Sequence, residues 1–292
     1  MRPIKLKKII LLSFLLCLAL PGCYSGQQLI LDKATGLFKE IALSANRQSD
    51  VSLVRQGLPS YLLMIDGLIQ SFPEDPDIHL AGAQAYAFYA SLLDETESSR
   101  AAQNIHRAKI YALKSLHLTP LFKGVLDGSL DRFQEALQKT DQTHVSLLFM
   151  AGSIWGTWIA QGPDPVEGMA DLSKVEAIMD KVLQLDPGIY YGGPHLFKGI
   201  LLSARPVQFG GDLKKADSHF KQALAYSKDK FLMTSVYYAQ YYAKQRLDRE
   251  LFVATLNKVL SIPVDSEPDL TLSNTLAHQK AKKLLSQVDE FF

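Results

Sequence analysis

Few side chains in this sequence carry the types and spacings that chemistry requires. Glu97 beside Ser98 sets an acid next to a hydroxyl, a pairing that could protonate a glycosidic oxygen. Such an acid must be lifted in pKa by burial. Here it stands in the hydrophilic run Asp94-Glu95-Thr96-Glu97-Ser98-Ser99, which reads instead as a helix cap. Ser218 and Lys221 have the Ser-x-x-Lys spacing of an activated serine, but so do Ser227 and Lys230, and neither Lys-Thr-Gly nor Ser-Asp-Asn follows. The seven histidines include no His-x-x-x-His pair, so neither a metal site nor a cofactor is expected. No catalytic constellation survives, and the chain is not read as an enzyme.

The residue whose surroundings do specify chemistry is Cys23. Arg2, Lys5, Lys7 and Lys8 precede an apolar stretch from Ile9 to Leu20, and Leu20-Pro21-Gly22-Cys23 ends it. A charged head, an apolar core and small residues before a cut make a secretory signal, and this core is too short for a membrane-spanning helix. The ending resembles a bacterial lipobox, whose cysteine takes a diacylglyceryl group and becomes the mature N-terminus. The expected organisation is a lipoprotein signal peptide over 1–22, a lipidated tether over 23–29 and one helical domain over 30–292. The protein would then stand in the periplasm, lipid-anchored to a bacterial membrane. Tyr24 after the cysteine, where an Asp commonly retains lipoproteins in the inner membrane, favours the outer one.

Two aromatic sets complete the candidate residues: Phe149, Trp155 and Trp158, then Tyr237, Tyr238, Tyr241 and Tyr242. One reading is core packing. The other is the wall of a ligand cavity or a partner-binding surface, since Tyr and Trp present an apolar face and keep a polar tip. Tyr237/Tyr241 and Tyr238/Tyr242 lie on neighbouring stripes of one helix, about 100° apart. One pair is therefore expected to pack on the helix over 212–227, the other to face a cavity or a neighbouring protomer.

These residues need elements to hold them, and the pattern is helical throughout. Hydrophobic residues make up 47% of the 292, enough for a sizeable core. The signal carries four of the 31 basic residues and no acid, leaving 27 against 30 acidic ones. That balance lacks the basic excess of a nucleic-acid binder. Cys17 lies within the signal, so an acylated Cys23 leaves no thiol for a disulfide, and packing alone must stabilise the fold. Ile105, Ala108, Ala112 and Leu116 recur at helical spacing, as do Val175, Ile178, Val182 and Leu185, then Leu213, Ala216, Phe220 and Ala223, then Ala277, Ala281, Leu284 and Val288. No two-residue alternation appears. The spacing predicts helices over 30–46, 50–57, 59–71, 76–92, 98–118, 128–138, 142–161, 166–185, 193–204, 212–227, 230–244, 247–261 and 269–289. Capping is expected from Asp75 before Pro76, from Asp164 and Ser266, and from Asp212 and Asp248. Gly192-Gly193 and Gly210-Gly211 read as turns that need positive φ.

Short connections make antiparallel hairpins, and several look like degenerate tetratricopeptide repeats. Gly199 with Ala216, Phe220 and Ala223 is one such set; Ala108, Ala112, Leu116 and Pro120 is another; Ala239, Tyr242 and Pro263 is a third. The closing prolines are unevenly spaced, so the repeats are interrupted and the superhelix is expected to be compact. The fold class is all-α.

Several longer runs then resemble one family. They are Ala151 to Trp158, Leu172 to Ala177, Leu185-Asp186-Pro187, Tyr190 to Phe197, and Gly210-Gly211-Asp212 with Ala216, His219, Phe220 and Ala223. Tyr241-Tyr242-Ala243, Asp248 to Phe252, Pro268-Asp269-Leu270, Asn274, Ala277 and Lys280-Ala281 follow. In this order they resemble the T-component of tripartite ATP-independent periplasmic (TRAP) transporters, a tetratricopeptide-like lipoprotein. The resemblance implies an accessory protein with a hydrophobic channel, assembly as a homotrimer, and docking to the solute-binding P-component. The function expected is the binding or passing of a hydrophobic or amphipathic organic ligand. The alternative is a repeat scaffold for envelope protein assembly, with peptides or partner proteins in an open groove.

Overall fold

The computed structural model describes residues 36–162 and 165–292, apart from the side chains of 165–167, 169 and 170. The expectations for the signal, Cys23, Tyr24 and the tether lie outside the described residues, as does Asp164. The chain divides into two compact units, 1–45 and 46–292. The described part of the first is helical, within α1 (36–46).

The second unit is all-α, and among the described residues there is no strand. Its helices are α2 (Val51–Ser71), α3 (Pro76–Ser91), α4 (Ser98–Leu118), α5 (Leu130–Gln138), α6 (Val145–Ala160) and α7 (Pro165–Leu185). They continue as α8 (Ile189–Ala204), α9 (Leu213–Ser227), α10 (Met233–Tyr237), α11 (Arg249–Ser261), α12 (Thr271–Ser286) and α13 (Val288–Phe291). Their starts are fixed chemically. Asp50, Asp75, Asp212 and Asp248 each accept a backbone N–H from the following first turn, satisfying donors that a helix end leaves orphaned. Ser266 does not cap; the turn Pro268–Leu270 starts after Glu267, with no side-chain capping bond.

Neighbouring helices pair, α2 with α3, α3 with α4, α6 with α7, α8 with α9 and α11 with α12. The pairs sit close because small residues occupy the crossings. A Cβ on Gly199 of α8 would lie 2.9 Å from the Phe220 ring of α9, so a larger residue would force the helices apart. α6 packs against α3, α4, α7 and α8 and buries Val145, Leu148, Ala151, Ile154 and Trp155. Among the described residues no helix is long and apolar enough to cross a membrane.

Pro59 does not end a helix. α2 runs through it, burying Val54, Leu58, Leu62, Ile65 and Ile69 in one stripe. The lost hydrogen bond and ring clash cost about 3 kcal/mol. Burying five such side chains at about 1.5–3 kcal/mol each outweighs that. The helix expected over 230–244 is α10 followed by a π-helical turn, Tyr238–Ala243. Within α8, Tyr190, Tyr191 and Gly192 are left-handed, with φ of 47°, 60° and 80°.

The ends of this unit meet. α12 touches α2, Lys283 of α12 pairs with Glu95 after α3, and Arg47 lies 2.7 Å from Asp269. The first hairpin is thereby brought beside the last helices.

Candidate functional site

A cavity of about 950 Å³ lies where the ends meet, between the start of α2, the end of α3, α8, the α10–π segment and α12–α13. This is at the upper end of the roughly 300–1,000 Å³ usual for small-molecule sites. Phe88, Leu92, Leu196, Phe231, Leu276 and Phe291 supply apolar wall, and Arg55, Tyr237, Gln240, Lys244, Lys280 and Lys283 supply polar groups.

The π-turn shapes one wall. It closes with Lys244 N–H donating to Ala239 C=O at 3.0 Å and Asp248 N–H donating to Ala243 C=O at 2.9 Å. Such single turns are rare and concentrate at functional sites. Tyr237 just before it, Gln240 within it and Lys244 just after it line the cavity. On the opposite side Tyr238 and Tyr242 stack on each other at 5.0 Å and pack on Phe220 of α9 at 5.5 and 6.4 Å. The Tyr238 hydroxyl donates to Asp217 at 3.2 Å. Its pKa is raised by burial and by the Asp217 charge. The tyrosine row thus divides by stripe: Tyr238 and Tyr242 belong to the α9 contact, and Tyr237 to the cavity wall. Tyr241 lies 5.8 Å from Tyr237 and is partly buried without lining the cavity. Burial, with Tyr241 second, pushes the Tyr237 hydroxyl up to about 12.

Across from them Lys280 holds its ammonium 4.8 Å from the centre of the Tyr237 ring, a cation–π contact. Burial, then the neighbouring Lys283 charge, push its pKa down. Lys244 sits 3.4 Å from the Phe291 ring centre.

The first aromatic set is elsewhere and does not line the cavity. Phe149 stacks on Tyr190 at 5.0 Å. The Trp155 indole N–H donates to Asp171 at 2.6 Å. Trp158 lies under the Lys109 ammonium, 3.2 Å from the ring centre, and Lys109 also pairs with Asp171 at 3.2 Å. These rings are committed to packing α6 against α4, α7 and α8.

Glu97 forms ion pairs with Arg55 and with Arg100, the latter at 3.3 Å, an unsuitable setting for an acid that must donate a proton. His195 and His219 approach at 3.0 Å between Nδ1 atoms. Among the described residues no cluster of three metal-ligating side chains occurs. Residue types alone did not mark Gln240, Lys244 and Lys280. Two lysines on one side of the last long helix, beside a tyrosine row, were the available signal.

The second unit is thus all-helical, with one face of the cavity lined by rings and lysines. Residues 47–292 match the family model described as TRAP transporter T-component, and the chain belongs to that family, an accessory component of TRAP transporter systems. No curated protein matches it by sequence.

Proposed function

We propose that this protein is a lipid-anchored periplasmic helper of TRAP-type solute uptake. The single observation that carries this reading is the cavity of about 950 Å³ with an apolar wall and inward polar groups. An amphipathic organic ligand would be held there, or passed through, and exchanged with a docked solute-binding P-component. Binding and transfer, rather than bond-breaking, are the roles its side chains fit. Residues 1–22 would be removed on export, Cys23 would carry the lipid, residues 23–29 would act as tether to the helical domain over 30–292, and the assembled form would be a trimer. The outer membrane is the anchoring site that Tyr24 favours.

Purification of the tethered protein from envelope extracts tests the docking role. Recovery of a P-component-type binding protein is expected; repeated recovery of none, with other partners instead, would sink it. Membrane fractionation tests the anchor. The Cys23→Ala variant should leave the membrane fraction, and retention there would refute lipid attachment.

A further inference from the structure

The outer face of α2 is apolar and carries no charge. Leu53, Leu63 and Met64 stand on it at 58%, 75% and 53% exposure. None of the exposed residues of this helix is charged, whereas α9 exposes Lys214, Lys215 and Lys221. A solvated surface ordinarily carries about one charged residue in three or four. The two charged residues α2 has, Arg55 and Asp66, are engaged with its neighbours. Arg55 pairs with Asp94 and Glu97. Asp66 accepts from the Tyr86 and Tyr111 hydroxyls at 2.7 Å and pairs with Arg107 at 3.0 Å.

A second observation concerns the backbone of the same face. Gly57 and Gly67 lie on it within the helix, and a Cβ on either would meet nothing within 4 Å. Glycine inside a helix is less favourable than any residue but proline, and no contact within the chain requires either one. Missing side chains let a second backbone come near.

The centre of the face is the stripe Leu53, Gly57, Ser60, Met64, Gly67 and Ser71, spaced by three and four residues and all exposed. It is matched about the level of Leu62: Gly57 with Gly67, Ser60 with Met64, and Leu53 with Ser71 are equidistant from it. Laid antiparallel on its own copy, the stripe sets glycine against glycine and each large side chain against a serine. Identical uncharged faces also meet without like-charge repulsion.

We propose that α2 is a self-association surface, on which two copies of this chain pair antiparallel about a twofold axis at the level of Leu62. This goes beyond the trimer of the proposed assembly: a threefold contact joins two different patches, whereas a twofold contact joins one patch to itself. At 21 residues the helix is about 32 Å long and about 10 Å wide. Its face covers roughly 300 Å², below the roughly 800 Å² per partner of a stable interface, so the pairing is reversible.

Sedimentation equilibrium of protein carrying Cys23→Ala, over concentrations reaching about 1 mM, tests this. At the top of that range its mass should approach twice that of a Met64→Glu variant, whether the underlying unit is one chain or three. Met64 is exposed, and an unchanged unfolding midpoint shows that the variant is folded. Equal masses throughout overturn the proposal and leave the trimer untouched. Gly57→Leu, a better helix former, should lose the doubling without lowering the unfolding midpoint; a doubling that persists overturns the close approach. Oxidation reads the direction of pairing. A mixture of Ser60→Cys and Met64→Cys chains should cross-link several times faster than either alone, and equal or faster cross-linking of either alone overturns the antiparallel register.

Discussion

Arg47 and Asp269 are 222 residues apart in sequence, yet the Arg47 guanidinium Nε donates to the Asp269 carboxylate at 2.7 Å. The contact marks where the first hairpin meets the last helices. Both side chains are more than half exposed, at 60% and 53%, so the pair marks the closure without holding it. Arg47→Ala should change unfolding free energy by less than about 1 kcal/mol. Asn274 behaves differently. It is fully buried, accepts from Leu232 N–H at 3.1 Å and donates to Lys230 C=O at 3.0 Å. Asn274→Leu strands those groups, at about 1–3 kcal/mol each. Urea unfolding of both variants checks the ordering, and an equal loss would contradict it.

The largely buried Lys109–Asp171 pair, tied to Trp155 and Trp158, should respond to partial and complete removal differently. Lys109→Met takes away the ammonium that pairs with Asp171 and should cost about 3–5 kcal/mol. The double variant with Asp171→Leu should recover a large part of that, since desolvation of both charges is then avoided. A double-mutant cycle from denaturation midpoints measures this; strictly additive losses would rule out the coupling.

The tyrosine row gives a sharper contrast. Tyr238→Ala and Tyr242→Ala remove rings packed on Phe220 and should each cost about 3–5 kcal/mol. Tyr237→Ala opens onto a cavity that already exists, so its stability loss should be much smaller while ligand binding falls. Equal stability losses at all three positions would show that the stripes do not divide as described.

The separation of Tyr237 from Tyr238 follows from helical geometry, since residues one apart point about 100° apart, but Tyr241, expected to share the outlook of Tyr237, does not line the cavity. The all-helical class and most helix starts were legible for the same reason, as with Asp75-Pro76 and Asp212. Other features were not. Pro59 was expected to break α2, because a local rule cannot weigh the buried stripe on both sides of it. Gly192-Gly193 was expected to supply positive φ. Gly192 does so, at 80°, but the left-handed stretch already starts on Tyr190 and Tyr191, whose rings stack on Phe149 and Phe231 respectively. Gly193 is needed for space, since a Cβ there would come within 2.3 Å of the Phe149 ring. The cavity itself was illegible in position, because its lining comes from both ends of the unit, from Val51 to Glu95 and from Leu196 to Phe291. Sequence spacing also could not show that Phe149, Trp155 and Trp158 face neighbouring helices.

The His195–His219 contact should make stability fall in mild acid. Burial holds both rings below the ordinary histidine range; His219 lowers His195 further, and Lys198 lowers His219 against an opposing effect of Asp180. The unfolded chain therefore takes up protons first as pH falls through about 6.5, and the folded state loses stability from there downward. Above that pH both states are neutral and the effect vanishes. Urea midpoints at neutral and mildly acidic pH should fall more in the wild type than in His219→Gln. An equal or larger fall in the variant would show that the pair is not the source.

The central claim is that the space between the first hairpin and the last helices holds an organic ligand. Mass spectrometry of small molecules released from protein purified out of its own envelope tests this most directly, comparing the wild type with Ser273→Trp, which fills the cavity from α12. The wild type should release an amphipathic organic acid, and the folded variant should release none. Equal release from both, with folding of the variant verified, would contradict the cavity as the place of binding.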